Sequence, residues 1–458
     1  MAVMMAIGWI SIMLLFGMVL RAKVKFLRGM LMPASVIGGI IGFLVLNSNI
    51  VSDIDYKIYS DLVNFLFTLS FISIGLTGVS KEEKKDNTVS KEIVKGSMGM
   101  GFIWTVLYAI TPVIGYYTIT VLGAGVEMDG LYGLMIPFAF CQGPGQSVAF
   151  GTIIERGGWS NATQVAVTYA SIGFLFAFLI GVPIAKYGIK KGLAQYSGSI
   201  TESIAKGIYS PKEQKESCGK ITTYSGNIDV LAFHFALIGL CFILAQYLGK
   251  IFSYIPGYFG ETFSSMTFLN GMLCAYFVKW IMRKLGIEKY HDSILQTRIT
   301  GLCTDFLVCG AFMSIQISII SRWILPILGV CIITGVVTLM FALYFGSRLG
   351  GRCDFERTLG LWGCLTGTCP TGVALIRIVD PHLQTTAATE MGAMNIAMLP
   401  SYFVTTAILG YSIGQLSFFS MLIQCIITFL VILVLMKVLR LWGKPTFSFK
   451  KKEEEINI

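Results

Sequence analysis

Charge is scarce in this chain. Asp, Glu, Lys and Arg make up 13% of its 458 residues, against 55% apolar ones, and the mean hydropathy is +0.73. Length alone would suggest two or three soluble domains, but this composition excludes charged, water-facing surfaces on that scale. The eleven cysteines lie scattered, mostly within apolar runs. Their spacing fits neither a zinc site nor a secreted disulfide framework, which leaves them as packing residues of a reduced protein. HExxH and the Walker loop are missing, so neither zinc-protease chemistry nor ATP-driven transport in cis is expected. The first twenty residues carry no basic leader and no small-residue cleavage site, and read as a retained first span.

What remains is apolar run after apolar run. Phe418 to Val438 is long enough to cross about 30 Å of hydrocarbon as a helix. Spans are expected near 6–20, 32–48, 62–80, 97–121, 162–186, 229–249, 264–282, 299–320, 323–346, 388–410 and 418–438. Two further segments, about 131–157 and 357–377, are broken by Cys141-Gln-Gly-Pro-Gly-Gln-Ser147 and Gly363-Cys-Leu-Thr-Gly-Thr-Cys-Pro-Thr-Gly372. Their apolar arms are too short to span, and backbone that leaves the helix at bilayer depth persists only where protein or a water-filled cavity satisfies it. They are therefore expected to be re-entrant hairpins.

The net charge of +10 reflects sidedness rather than nucleic-acid binding. With the N-terminus outside, thirty of the thirty-five Lys and Arg fall in inner loops and the inner tail, as the positive-inside rule requires. If either broken segment crossed once, that alternation would fail downstream. The expected fold is an all-α polytopic membrane protein of about 11 spans. It is an inverted repeat of two five-helix halves, each with a hairpin, plus one extra C-terminal span. Residues 1–186 form the first repeat, 187–228 a polar cytoplasmic linker, 229–410 the inverted repeat, and 411–458 the extra span with a cytoplasmic tail.

Matching breaks in two halves point to a transporter's binding site. In the first hairpin Gln142, Gly143, Gly145, Gln146 and Ser147 are candidate substrate ligands; in the second, Thr366, Gly367, Thr368 and Thr371. Glycine allows close backbone approach and proline removes donors, so freed carbonyls can coordinate Na⁺ and half-helix N-termini can face a carboxylate. The alternative is that the breaks only kink and pack helices. Arg377 can fork onto a carboxylate, or snorkel or pair with Asp380. Asn395 lies deep in its span, as do Thr168 and Ser171, which with Asp305 are the candidate Na⁺ ligands. Asp305 serves a cation, a proton, or a pair with Arg298. His234 reads as a satisfied helix contact, and the Gly38-Gly39-Gly42 stretch as a packing face.

These residues resemble the bacterial sodium/glutamate symporter family. The matching stretch runs from Gly143 through Glu155-Arg-Gly-Gly-Trp-Ser-Asn-Ala-Thr-Gln-Val-Ala166 to Gly181-Val-Pro-Ile-Ala-Lys186. It is joined by Met32-Pro-Ala-Ser-Val-Ile-Gly-Gly39, Phe71-Ile-Ser-Ile-Gly-Leu76 and Gly367-Thr-Cys-Pro-Thr-Gly-Val-Ala374. The resemblance implies an inner-membrane importer that couples Na⁺ to glutamate or a related carboxylate. It also implies a homodimer in which a hairpin-bearing transport domain moves against a scaffold, elevator fashion. No cofactor beyond the coupling ion is implied. The chain departs from the family in having Gln142-Gly-Pro-Gly145 where Gly-Gly-His-Gly is usual, in Arg377, and in the eleventh span. Other classes open on the residues alone are a carrier of a different organic anion or amino acid coupled to Na⁺ or H⁺, and a cation exchanger.

Overall fold

The computed structural model describes residues 1–48, 55–77, 87–196, 205–209, 217–380 and 383–449. Among them every regular element is helical. In chain order these are α1 (Ala2–Lys23), α2 (Lys25–Gly29), α3 (Ala34–Asn47), α4 (Tyr56–Thr77) and α5 (Asn87–Leu122). Next come α6 (Ile136–Phe140), α7 (Gly143–Arg156), α8 (Ala162–Lys190), α9 (Val230–Phe252), α10 (Tyr258–Ser265) and α11 (Thr267–Lys284). The rest are α12 (Ser293–Met313), α13 (Ile317–Ile320), α14 (Ile324–Gly346), α15 (Asp354–Leu365), α16 (Cys369–Val379), α17 (Ala387–Ala393), α18 (Ser401–Ser412) and α19 (Phe418–Val438). Seven described helices are long and apolar enough to cross a membrane. Others, such as the 14-residue α3, fall short of the roughly 20 residues a perpendicular crossing needs.

Small residues let the helices close on one another where no water drives them together. The built Cβ of Gly17 would strike the Ala34 carbonyl, and that of Gly38 the Met13 backbone, so α1 and α3 touch main chain to main chain. Gly39 and Gly42 face Phe312 and Met313 of α12, which confirms this stretch as a packing face. The apolar core divides accordingly. Two smaller clusters tie α1, α3, α4 and α12, and α4, α9, α11 and α12. A larger one gathers α5, both hairpins, α8, α14, α18 and α19, and reaches into α3, α4, α11 and α12.

Both interrupted segments turn back as expected. The first descends through a 3₁₀ stretch, Gly130–Met135, and α6, then reverses at Cys141-Gln142 into α7. Its entry stays 3₁₀ because Gly133 lies backbone to backbone against Gly115 of α5. The second is α15 and α16, joined by Thr366-Gly367-Thr368.

One expectation fails. Residues 388–410 are not a continuous span: α17 ends at Ala393, a 3₁₀ turn covers Met394–Ile396, and α18 starts only at Ser401. Pro400 precedes α18 as its N-cap, and a ring there cannot continue an upstream helix without a clash. That proline was the available signal.

The chain after α19 returns to the base of the second hairpin. The Gly443 and Thr446 amides donate to the Arg348 and Ser347 carbonyls at 2.8 Å. Phe447 and Phe449 pack edgewise on Phe355 at 5.4 and 6.3 Å.

Candidate functional site

The hairpin tips meet. Gly143 sits at φ +78°, a left-handed conformation that glycine adopts without strain. A Cβ added there would collide with the Thr368 methyl and stand 3.1 Å from the Gly367 carbonyl. The Thr366 carbonyl in turn lies against Gly173 of α8, 2.6 Å from where a Cβ would be. Further along α8, Gly181 accepts Leu375 and Trp362, and Gly188 accepts Phe355. The Trp362 indole donates to the Ala177 carbonyl at 3.2 Å. The glycine face of α8 is thus the bed on which the second hairpin lies.

Each returning arm begins a helix at the junction: α7 at Gly143 with Pro144, and α16 at Cys369 with Pro370. Neither N-cap residue, Gln142 or Thr368, caps its own helix with a side-chain hydrogen bond. Two helix N-termini therefore arrive at one point with first-turn amides uncapped by their N-cap side chains, an arrangement that favours negative charge. Ser147 returns its hydroxyl to the Gly143 carbonyl at 2.9 Å. Thr366 donates to the Trp362 carbonyl at 2.8 Å, and the Thr368 and Thr371 hydroxyls stand 3.1 Å apart.

Helix α7 runs antiparallel to α8, with Gly151 laid against Thr163. That register sets Gln146 near the level of Thr168 and Gly143 near Ser171. Gln146 Oε1 and Ser171 Oγ are buried without a hydrogen-bond partner; Thr168 is buried and bonds back to the Gln164 carbonyl at 2.7 Å. Buried oxygens of this kind are normally satisfied, and unsatisfied ones suit a dehydrated cation.

Two candidates, Arg377 and Asn395, are not brought to this junction. Arg377 is exposed on α16, eight residues past the start of that helix and so about 12 Å along it. Asp380 is not its partner: that carboxylate accepts the Gln384 and Thr385 amides at 2.9 and 2.7 Å. Asn395 is exposed in the 3₁₀ turn, where its amide donates to the Gly392 carbonyl at 3.0 Å, so it does not lie deep in a span. Asp305 is exposed on α12.

A buried charge cluster at the base of the second hairpin was not foreseen. Arg357, expected in an inner loop, is 2% exposed. It donates through Nε to Glu390 of α17 at 2.6 Å and through Nη1 to Asp354 at 2.8 Å. Its Nη2 bonds the other Glu390 oxygen and stands 3.6 Å from Glu92 of α5. Thr386 donates to Glu390 at 2.8 Å, while Asp354 accepts the Gly350 amide and the Thr446 hydroxyl, each at 2.8 Å. His234, by contrast, is the satisfied contact expected of it: Nε2 accepts the Asp292 amide at 2.9 Å and Nδ1 lies 2.7 Å from the Val230 carbonyl.

Two helical hairpins touching tip to tip inside an apolar helical bundle are the arrangement expected of a membrane transporter. The comparison with known proteins makes this specific. The family model described as sodium/glutamate symporter matches residues 1–384, and the chain belongs to that family. It is 22% identical over 406 residues to the sodium/glutamate symporter of Escherichia coli K12, covering 86% of this chain and 92% of the relative. It is 23% identical over 409 residues to the one from Haemophilus influenzae, with the same coverage. Among solved structures, a sodium/proton antiporter from Methanocaldococcus jannaschii aligns over 91% of this chain and 99% of its own, at 13% identity and a TM-score of 0.36. The family members are transporters, and this protein is a multi-pass membrane transporter rather than an enzyme.

Proposed function

We propose that this protein is a symporter that uses the Na⁺ gradient to import glutamate or a closely related small carboxylate, bound where the two hairpin tips meet. The observation that carries the reading is the convergence of the α7 and α16 N-termini at Gly143 and Gly367, two partial positive ends with no carboxylate between them among the described contacts. Gln142, Gly145, Gln146, Ser147, Thr366, Thr368 and Thr371 surround that point and supply amide and hydroxyl groups. Na⁺ is held beside it by neutral oxygens of the level shared by Gln146, Thr168 and Ser171; the unpartnered Gln146 Oε1 and Ser171 Oγ support this. Asp305 and Arg377 then act elsewhere, and Asn395 lines the opening at the α17–α18 break.

The protein works as an elevator, with the hairpin-bearing body moving against a scaffold of α1, α3, α4, α9, α11 and α12. The contact between the bodies supports this: Gly145 of α7 rests on the Phe67 ring of α4, and that ring lies tilted against Phe268 of α11, 5.0 Å away. The two halves are inverted repeats: α1–α3 and α9–α11 are matching pairs, and α4 packs on its counterpart α12. The protein sits in the inner membrane with the N-terminus outside and the C-terminus cytoplasmic, as a homodimer.

The test is reconstitution. Labelled glutamate should enter proteoliposomes under an imposed Na⁺ gradient, and other small carboxylates should compete. Uptake that is indifferent to the Na⁺ gradient would overturn the coupling, and failure of any carboxylate to compete would overturn the site.

A further inference from the structure

Trp104 and Tyr108 stand one turn apart on α5, directly beneath the first tip. Their rings stack, with centroids 4.8 Å apart and planes at 17°. The Trp104 indole donates to the Cys141 carbonyl at 3.2 Å, and the Tyr108 hydroxyl to Gln142 Oε1 at 3.2 Å. The same hydroxyl lies 2.8 Å from Thr405 Oγ1 of α18. A phenol has one proton to give. With that proton on Gln142, the second contact is donated by Thr405, whose other acceptor, the Ser401 carbonyl, is farther away at 3.3 Å. Tyr108 and Thr405 are both fully buried, so water does not compete for this relay.

The relay consumes acceptors. The carbonyl of Cys141 and the amide oxygen of Gln142 both point at α5, and Gln142 Nε2 is the end of that side chain not engaged by α5. What the tip then offers a ligand is donors: two N–H groups of Gln142 and the first-turn amides of α7. We infer that Tyr108, held by Thr405, is a positioning residue that fixes the orientation of the Gln142 amide and so makes the first tip selective for a substrate's side-chain carboxylate over the corresponding carboxamide. A carboxylate only accepts hydrogen bonds, whereas a carboxamide brings two N–H groups that would face donors and go unpaired. Sites built this way reject the wrong polar isostere far better than apolar pockets reject an extra methylene.

The inference rests on the carboxylate reading above, and the experiment separates the two. Competition of labelled glutamate uptake by unlabelled glutamate and glutamine gives an apparent affinity ratio for the native protein and for Tyr108→Phe and Thr405→Val. In the native protein glutamate is expected to win by at least about tenfold. Without the phenol proton the Gln142 amide turns over freely and can present its oxygen. Tyr108→Phe should then shrink the ratio about tenfold while the maximal rate changes by less than about twofold. Thr405→Val should move it in the same direction by a smaller factor. A purely structural role for Tyr108 would lower the amount or rate of active protein and leave the ratio alone, and that result overturns the inference. If Tyr108→Phe does not assemble, an unchanged ratio in Thr405→Val does the same. A native protein that carries no carboxylate removes the reading itself.

Discussion

Alanine at Gly143 tests the junction of the hairpins most directly. Two costs act together. At φ +78° an L side chain costs about 1–2 kcal/mol of backbone strain. The new Cβ also meets the Thr368 methyl and stands 3.1 Å from the Gly367 carbonyl, and overpacking of this kind costs about 1–3 kcal/mol. The strain is borne by the folded protein as a whole, whereas the collision, about 1–3 kcal/mol, falls on conformations in which the tips touch, and at 1.4 kcal/mol per decade it weakens a ligand held there by at least about fivefold. Gly158 is the control. It too has a positive φ, +97°, but an added Cβ meets nothing within 4 Å, so Gly158→Ala carries the strain without the collision and lies away from the tips. The assay is the concentration dependence of Na⁺-driven glutamate uptake into proteoliposomes, with size-exclusion profiles to confirm folding. A Gly143→Ala protein with native apparent affinity would refute the claim that the tips form the site.

Three further outcomes follow from named contacts. Arg357→Met strands the carboxylates of Glu390 and Asp354 in a buried site, and thermal unfolding in detergent should show a loss of about 3–5 kcal/mol, partly restored in Arg357→Met/Glu390→Leu; no loss would mean that the cluster is solvated. Arg377→Ala should leave apparent affinity within about twofold, since the side chain is exposed and about 12 Å along α16 from its start; a large loss would bring Arg377 back into the site. In the loop before α12, burial, then the Lys279 charge, pushes His291 down to about 4 from 6.5. Its neutral form is thus favoured in the folded state. That contribution is present above pH 6.5 and is lost as the pH falls towards 4, because the unfolded chain binds the proton first. A melting temperature that falls over this window less steeply in His291→Gln than in the native protein is expected; equal slopes would dismiss the residue.

Much of the fold was legible because it is written locally. Apolar runs long enough to span, and Gly-Pro breaks between arms too short to do so, depend on a few neighbouring residues. The expected hairpins at 131–157 and 357–377 accordingly lie close to the observed 130–156 and 354–379. The α17–α18 break was also written locally, in Pro400, yet its flanks are apolar enough to read as one helix.

Hydropathy and Gly-Pro chemistry by themselves determined that this chain is a polytopic helical membrane protein with two re-entrant hairpins, and its motifs pointed to its family. Only the tertiary structure decided which polar groups meet. Arg357 and Glu390 are 33 residues apart, and Tyr108 and Thr405 are 297 apart. No local pattern pairs such residues, because their partnership is set by how whole helices pack. The same packing left Arg377 exposed along α16 and brought Gly143 to Gly367. The breaks are a property of short stretches of chain; their convergence into one site is a property of the helix α8 and the glycine face that seats the second hairpin.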